Sequence, residues 1–67
     1  MKVKFNKPVS VDYYSFRLQE WVDKSFGRND VVEINRVVDD AAKKWVDIVF
    51  DNGDVANDVP RESFELC

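Results

Sequence analysis

Lys44-Trp45-Val46-Asp47-Ile48-Val49-Phe50-Asp51-Asn52-Gly53-Asp54-Val55-Ala56-Asn57-Asp58-Val59 is the segment around which the chain is organised. Two runs that alternate apolar and polar residues flank Asn52-Gly53, a pair that tolerates the positive φ of a type I′ turn. The stretch therefore reads as a β-hairpin with a two-residue loop. That loop sets Phe50 opposite Val55, Val49 opposite Ala56, Ile48 opposite Asn57, Asp47 opposite Asp58 and Val46 opposite Val59. Side chains alternate along a strand, so Val46, Ile48, Phe50, Val55 and Val59 fall on one apolar face. Asp47, Asp51, Asp54 and Asp58 fall on the other. Like charges opposite one another weaken a hairpin by only a few tenths of a kcal/mol, which a solvated face tolerates. The same four aspartates also make an acidic face suited to a basic partner.

The 67 residues make one domain near the lower size limit for folding without disulfides or metal. An apolar share of 45% argues for a packed core, and nine aromatics (two Trp, two Tyr, five Phe) supply large buried areas. Cys67 is the only cysteine, so no internal disulfide and no cysteine metal site form, as expected in a reducing compartment. Histidine is absent, which removes the commonest metal ligand and general base. No apolar run is long enough for a signal peptide or membrane span, and a cytoplasmic location is the default expectation.

Charge is unevenly distributed. Residues 1–36 carry seven basic and five acidic residues (net +2), and residues 37–67 carry three and eight (net −5). The overall acidity disfavours nucleic acid as a partner, whether duplex or stacked single strands.

Lys2-Val3-Lys4-Phe5 alternates and reads as a first strand, stopped at Pro8. Residues 9–26 admit two readings. As a helix capped by Ser10 and Gly27, they align Val11, Tyr14, Leu18, Trp21, Val22 and Phe26 in one stripe. As strands, Val9–Tyr13 alternates and Trp21–Phe26 folds back on it. Gly27–Asp30 is a turn by composition, and Val31–Val38 reads as one strand with a bulge where its alternation slips. Asp39–Lys43 is a loop, Pro60–Ser63 a tight turn and Phe64–Leu66 a short closing strand. Four or five short strands without a repeat predict an all-β fold, a small antiparallel barrel.

This order of signals resembles an SH3 domain. Val11-Asp12-Tyr13-Tyr14 resembles the Ala-Leu-Tyr-Asp-Tyr segment that opens the family's long first loop. Lys24-Ser25-Phe26-Gly27-Arg28-Asn29-Asp30-Val31-Val32-Glu33-Ile34 resembles its Leu-Ser-Phe-x-x-Gly-Asp-x-Ile-x-Val segment, with Asn29 at the glycine. Trp45 precedes Pro60 at close to the spacing of the family's groove tryptophan and proline, and Val59-Pro60-Arg61-Glu62-Ser63-Phe64 resembles its one-turn helix and last strand. Small phage and bacterial SH3-like proteins look similar in size and strand order. The resemblance implies that residues 9–26 are mostly extended, with room for a short helix within 10–26. It also implies a partner-binding aromatic groove formed by Tyr13, Tyr14, Trp45, Pro60 and Phe64, with Asp12, Glu20 and Asp40 placed to meet a basic residue beside a ligand's prolines.

Catalysis is not expected. Ser10, Ser15, Ser25 and Ser63 have no histidine to activate them, and so small a barrel has no enclosed pocket to split the pKa values of paired carboxylates. Asp51-Asn52-Gly53-Asp54 lacks the spacing and the distal glutamate of a calcium loop. The expected function is that of a noncatalytic interaction module without cofactor or metal. The alternative is a small acidic phage or mobile-element protein that blocks a host nucleic-acid enzyme through Asp47, Asp51, Asp54 and Asp58.

Overall fold

A computed structural model describes residues 1–67. The chain forms eight strands: Lys2–Phe5 (β1), Val9–Ser15 (β2), Glu20–Phe26 (β3), Val31–Glu33 (β4), Arg36–Val38 (β5), Trp45–Val49 (β6), Val55–Pro60 (β7) and Phe64–Leu66 (β8). A 3-10 turn, Arg61–Ser63, joins the last two. The strands lie in two antiparallel sheets, ordered β4-β1-β8 and β3-β2-β7-β6-β5. The fold is all-β, as the alternation predicts. The sheets do not close into a barrel, because no ladder links an end strand of one to an end strand of the other. No helix is long and apolar enough to cross a membrane.

Residues 9–26 contain no helix. They form a long hairpin, paired from Val9↔Phe26 to Ser15↔Glu20. The helical stripe is broken up: Val11 and Phe26 are buried, whereas Leu18 and Trp21 are exposed. Period-two alternation of Val9, Val11 and Tyr13 against the core prevails.

The expected strand Val31–Val38 is two strands, one in each sheet. The Ile34 amide donates to Met1 O (2.7 Å) and the next amide, Asn35, to Val49 O (2.8 Å). Consecutive residues thus hydrogen-bond to different sheets, and Ile34 is buried at the corner. The slip in alternation marks that corner, not a bulge within one strand.

The β6–β7 hairpin also departs from expectation at its tip. Val46 faces Val59 as the alternation predicts, but nearer the turn Ile48 faces Ala56 and Val49 faces Val55. Gly53 N donates to Phe50 O (3.1 Å) and Phe50 N to Asp54 O (2.9 Å), and Gly53 has φ +92°. This is a three-residue loop closed by a left-handed glycine, not a two-residue type I′ turn. The one-residue shift is undone by a bulge in which Asn57 and Asp58 oppose Asp47, with Asp58 at φ +56°. Ala56 therefore takes the fully buried position expected of Val55. An added Cβ at Gly53 would stand 3.3 Å from the Phe16 ring as well as in left-handed backbone. Gly53→Ala is expected to cost about 1–2 kcal/mol, read from urea denaturation.

The core lies between the sheets. The Phe5 ring from β1 stacks on Phe26 from β3, with centroids 4.6 Å apart and planes 7° from parallel. Val3, Ile34, Ile48, Ala56 and Val59 complete its fully enclosed part. The expected tight turn at Pro60 is present, where buried Ser63 donates its hydroxyl to Pro60 O (2.6 Å). Arg61 donates to Asp39 Oδ2 (2.6 Å) and Lys43 O (2.8 Å), which ties the 39–43 loop to this turn.

Candidate interaction surface

Cross-strand partners in an antiparallel sheet share a face, so the register alone sorts the side chains. On the five-stranded sheet, Val9, Val11, Val46, Ile48, Ala56 and Val59 point to the core. The outer face then carries two rows that cross the strands. One row runs Trp21, Tyr14, Val55, Val49 and Arg36, each paired with the next. The neighbouring row runs Asp23, Asp12, Asn57 with Asp58 at the bulge, Asp47 and Val38. Trp45 and Pro60 pair further along the same face.

The five residues of the expected groove therefore separate. Tyr14, Trp45 and Pro60 occupy the outer face, with Trp45 46% exposed. Tyr13 and Phe64 pack against the core instead and do not line an external groove with the others. The alternation Val9, Val11, Tyr13 in the sequence already carries this assignment for Tyr13. Phe64 turns inward because its ring meets Phe5 at 6.1 Å. Trp45 borders a hollow of about 410 Å³ whose other lining residues include Val38, Asp40, Lys43, Asp47, Asn57 and Asp58. Of the acidic residues expected beside the groove, Asp40 lies in this hollow, Asp12 lies in the acidic row, and Glu20 is exposed at the start of β3.

The four hairpin aspartates do not form one face. Asp47 and Asp58 lie together on the outer side, where Asp47 Oδ1 accepts the Asp58 amide (3.2 Å). Asp51 is exposed in the loop. Asp54 is buried. Its carboxylate accepts the Tyr13 hydroxyl, the Phe16 amide (2.9 Å) and the Asn52 side-chain amide (3.1 Å). Donation by Tyr13, then by the Phe16 amide, holds the Asp54 carboxyl below the usual carboxylate range, with burial opposing. Burial first, and Asp54 next, push the Tyr13 phenol up. The network is structural, fastening the β6–β7 loop to the end of the β2–β3 hairpin. Fixing this loop is also what replaces the two-residue turn.

Trp21 stands with Tyr14 among the aromatic surface candidates of the sequence, but its direct pairing with Tyr14, and Asp23 as the partner of Asp12, were missed. Their signal was present in the matching alternations Asp12-x-Tyr14 and Trp21-x-Asp23. A second hollow, of about 450 Å³, opens between β5 and β8, bounded by Val37, Val46, Phe64 and Leu66 with Arg36 and Arg61 at its rim. It lies between two unpaired sheet edges, since β5 and β8 are each an end strand of their sheet. No three carboxylate or thiol groups converge as a metal-binding cluster. Comparison with family models, curated proteins and solved structures yields no match.

Proposed function

We propose that the chain is a noncatalytic interaction module of SH3-like fold that binds a partner protein or peptide through Trp45, Pro60 and the hollow beside them. The observation that carries this reading is the exposed Trp45, paired with half-buried Pro60 and bordering a recess that contains Asp40 and Asp47. A half-exposed indole beside a proline offers a flat apolar platform, and adjacent carboxylates offer a partner for a ligand's basic residue. The SH3-like reading is supported by the order of elements. A long hairpin at 9–26, a strand passing from one sheet to the other at Ile34, a hairpin, a one-turn helix and a short last strand follow one another as in that family. Tyr13 and Phe64 pack against the core and Tyr14 lies in the row through Val55 and Val49, so these three stand outside the platform.

The test is a fluorescence-anisotropy titration with labelled proline-rich peptides that carry one flanking arginine. Trp45→Ala is expected to weaken binding by about thirtyfold, the effect of losing a buried tryptophan anchor. Its melting temperature should stay close to that of the parent, since Trp45 is 46% exposed in the free protein. Equal binding by the variant would overturn the reading.

A further inference from the structure

Beyond the Trp45 platform, the outer face of the five-stranded sheet carries an apolar row in which Trp21 is exposed and Tyr14, Val55 and Val49 are half-buried. Trp21 is 55% exposed and meets Tyr14 edge to face at 5.2 Å, so the row begins with a rigid aromatic pair. Phe16 and Leu18, both exposed at the tip of the same hairpin, extend the apolar area. Four strands at about 4.8 Å each make a strip roughly 15 Å long between strand axes. Exposed apolar area of this kind, with a polar border, is the usual mark of a docking surface.

The border identifies what docks. Asp23, Asp12, Asp58 and Asp47 lie alongside the row, and none of them is in an ion pair: the pairs in the structure are Met1–Glu33, Lys7–Glu62 and Arg61–Asp39. Asp12 and Asp23 are direct cross-strand partners, an arrangement that weakens the β2–β3 hairpin. The only basic residue in either row is Arg36, at the far end. The fold collects these acids from both halves of the chain, the basic-leaning first half included. Such a border repels nucleic acid and anionic lipid and attracts a basic polypeptide.

We infer that this face binds a segment of a partner protein whose apolar stripe is bordered on one side by lysines and arginines. The stripe covers Trp21, Tyr14 and Val55, and the basic border meets Asp12, Asp23, Asp47 and Asp58. The inference rests on the reading of the chain as an interaction module and assigns that module a second, charge-selective contact.

The experiment titrates the full chain into three labelled synthetic peptides. The first is a fifteen-residue amphipathic peptide with a leucine stripe bordered by lysines, the second its twin with glutamate for lysine, and the third the proline-rich peptide used with Trp45→Ala. The lysine peptide is expected to bind and the glutamate twin not to. Asp12→Asn with Asp23→Asn should weaken lysine-peptide binding about three- to tenfold at low salt, and the difference should shrink at high salt. Trp21→Ala should weaken it at every salt concentration. Both variants alter exposed positions, and a melting curve checks that each is folded. Equal binding of the twins, or unchanged binding by the asparagine variant, overturns the inference. Proline-rich binding lost in Trp45→Ala, with no lysine-peptide binding, overturns it and leaves the Trp45 platform standing. Failure of all three peptides overturns both.

Discussion

Phe5→Ala is expected to leave the chain largely unfolded at 25 °C. Phe5 has no solvent exposure, and its ring is the face-to-face contact between the two sheets, stacked on Phe26 at 4.6 Å and tilted against Phe64 at 6.1 Å. Its backbone also pins the turn before β4, donating to Asp30 O (2.9 Å) and accepting from Asn29 N (2.7 Å). Removing a buried phenylalanine ring costs about 3–5 kcal/mol, because the transfer energy is lost and a cavity is left. A chain of this length has a total stability of roughly 3–10 kcal/mol, so the loss consumes much or all of it. Phe5→Leu keeps most of the volume, and a cost below about 1.5 kcal/mol should leave a folded protein. Urea denaturation followed by circular dichroism distinguishes the two. A cooperative transition in Phe5→Ala with a midpoint near that of the parent would show that the sheets are held together by something other than this stack.

The second large effect concerns Asp54. Asp54→Leu strands the Tyr13 hydroxyl and the Phe16 amide without their acceptor, and the melting temperature at pH 7 should fall by about 10 °C. Asp54→Asn tests the charge. The folded carboxyl sits below its ordinary range, chiefly because the Tyr13 hydroxyl donates to it. A depressed folded pKa means that ionisation favours the folded state above the unfolded value, near 4, and that this contribution disappears as pH falls through the folded value. The parent should therefore melt higher than Asp54→Asn at pH 7, and the gap should narrow steadily below about pH 4. Asp39, the other carboxyl held low, by Arg61, is present in both proteins and cancels in the comparison. A gap that stays constant down to pH 2 would exclude the charge as the source of stability.

These two residues show what could be read from the chain. Phe5 sits in a short alternating run, and period two is enough to place it inside. The same rule separates Tyr13 from Tyr14 once Val9 and Val11 are taken as inward-facing. Residues 9–26 resisted because periodicity alone slightly favours their helical stripe over two strands, and only the resemblance favours the strands. The strands prevail through pairing with β7, a partner about forty residues further on. Asn52-Gly53 announces a turn but not its length, which depends on Asp54 being engaged by Tyr13 and Phe16 from 41 and 38 positions away. No local pattern encodes that engagement. Trp45 and Pro60 are legible as neighbours from the hairpin itself. The acidic row is not, because its members come from four strands and only the complete register aligns them.

The pairing of β1 with β8 has a topological consequence. Val3 lies opposite Leu66, and the Cys67 amide donates to Lys2 O (3.0 Å), so residues nearly a whole chain apart are immediate neighbours. A short linker from residue 67 to residue 1 would convert β8 and β1 into an ordinary hairpin. Reopening the circle in the exposed segment 40–43 would then give a permuted chain with every strand beside its present neighbours. Among the pairings of the smaller sheet, the most distant one is long-range only because of where the backbone is interrupted. Its closure entropy belongs to connectivity and not to packing.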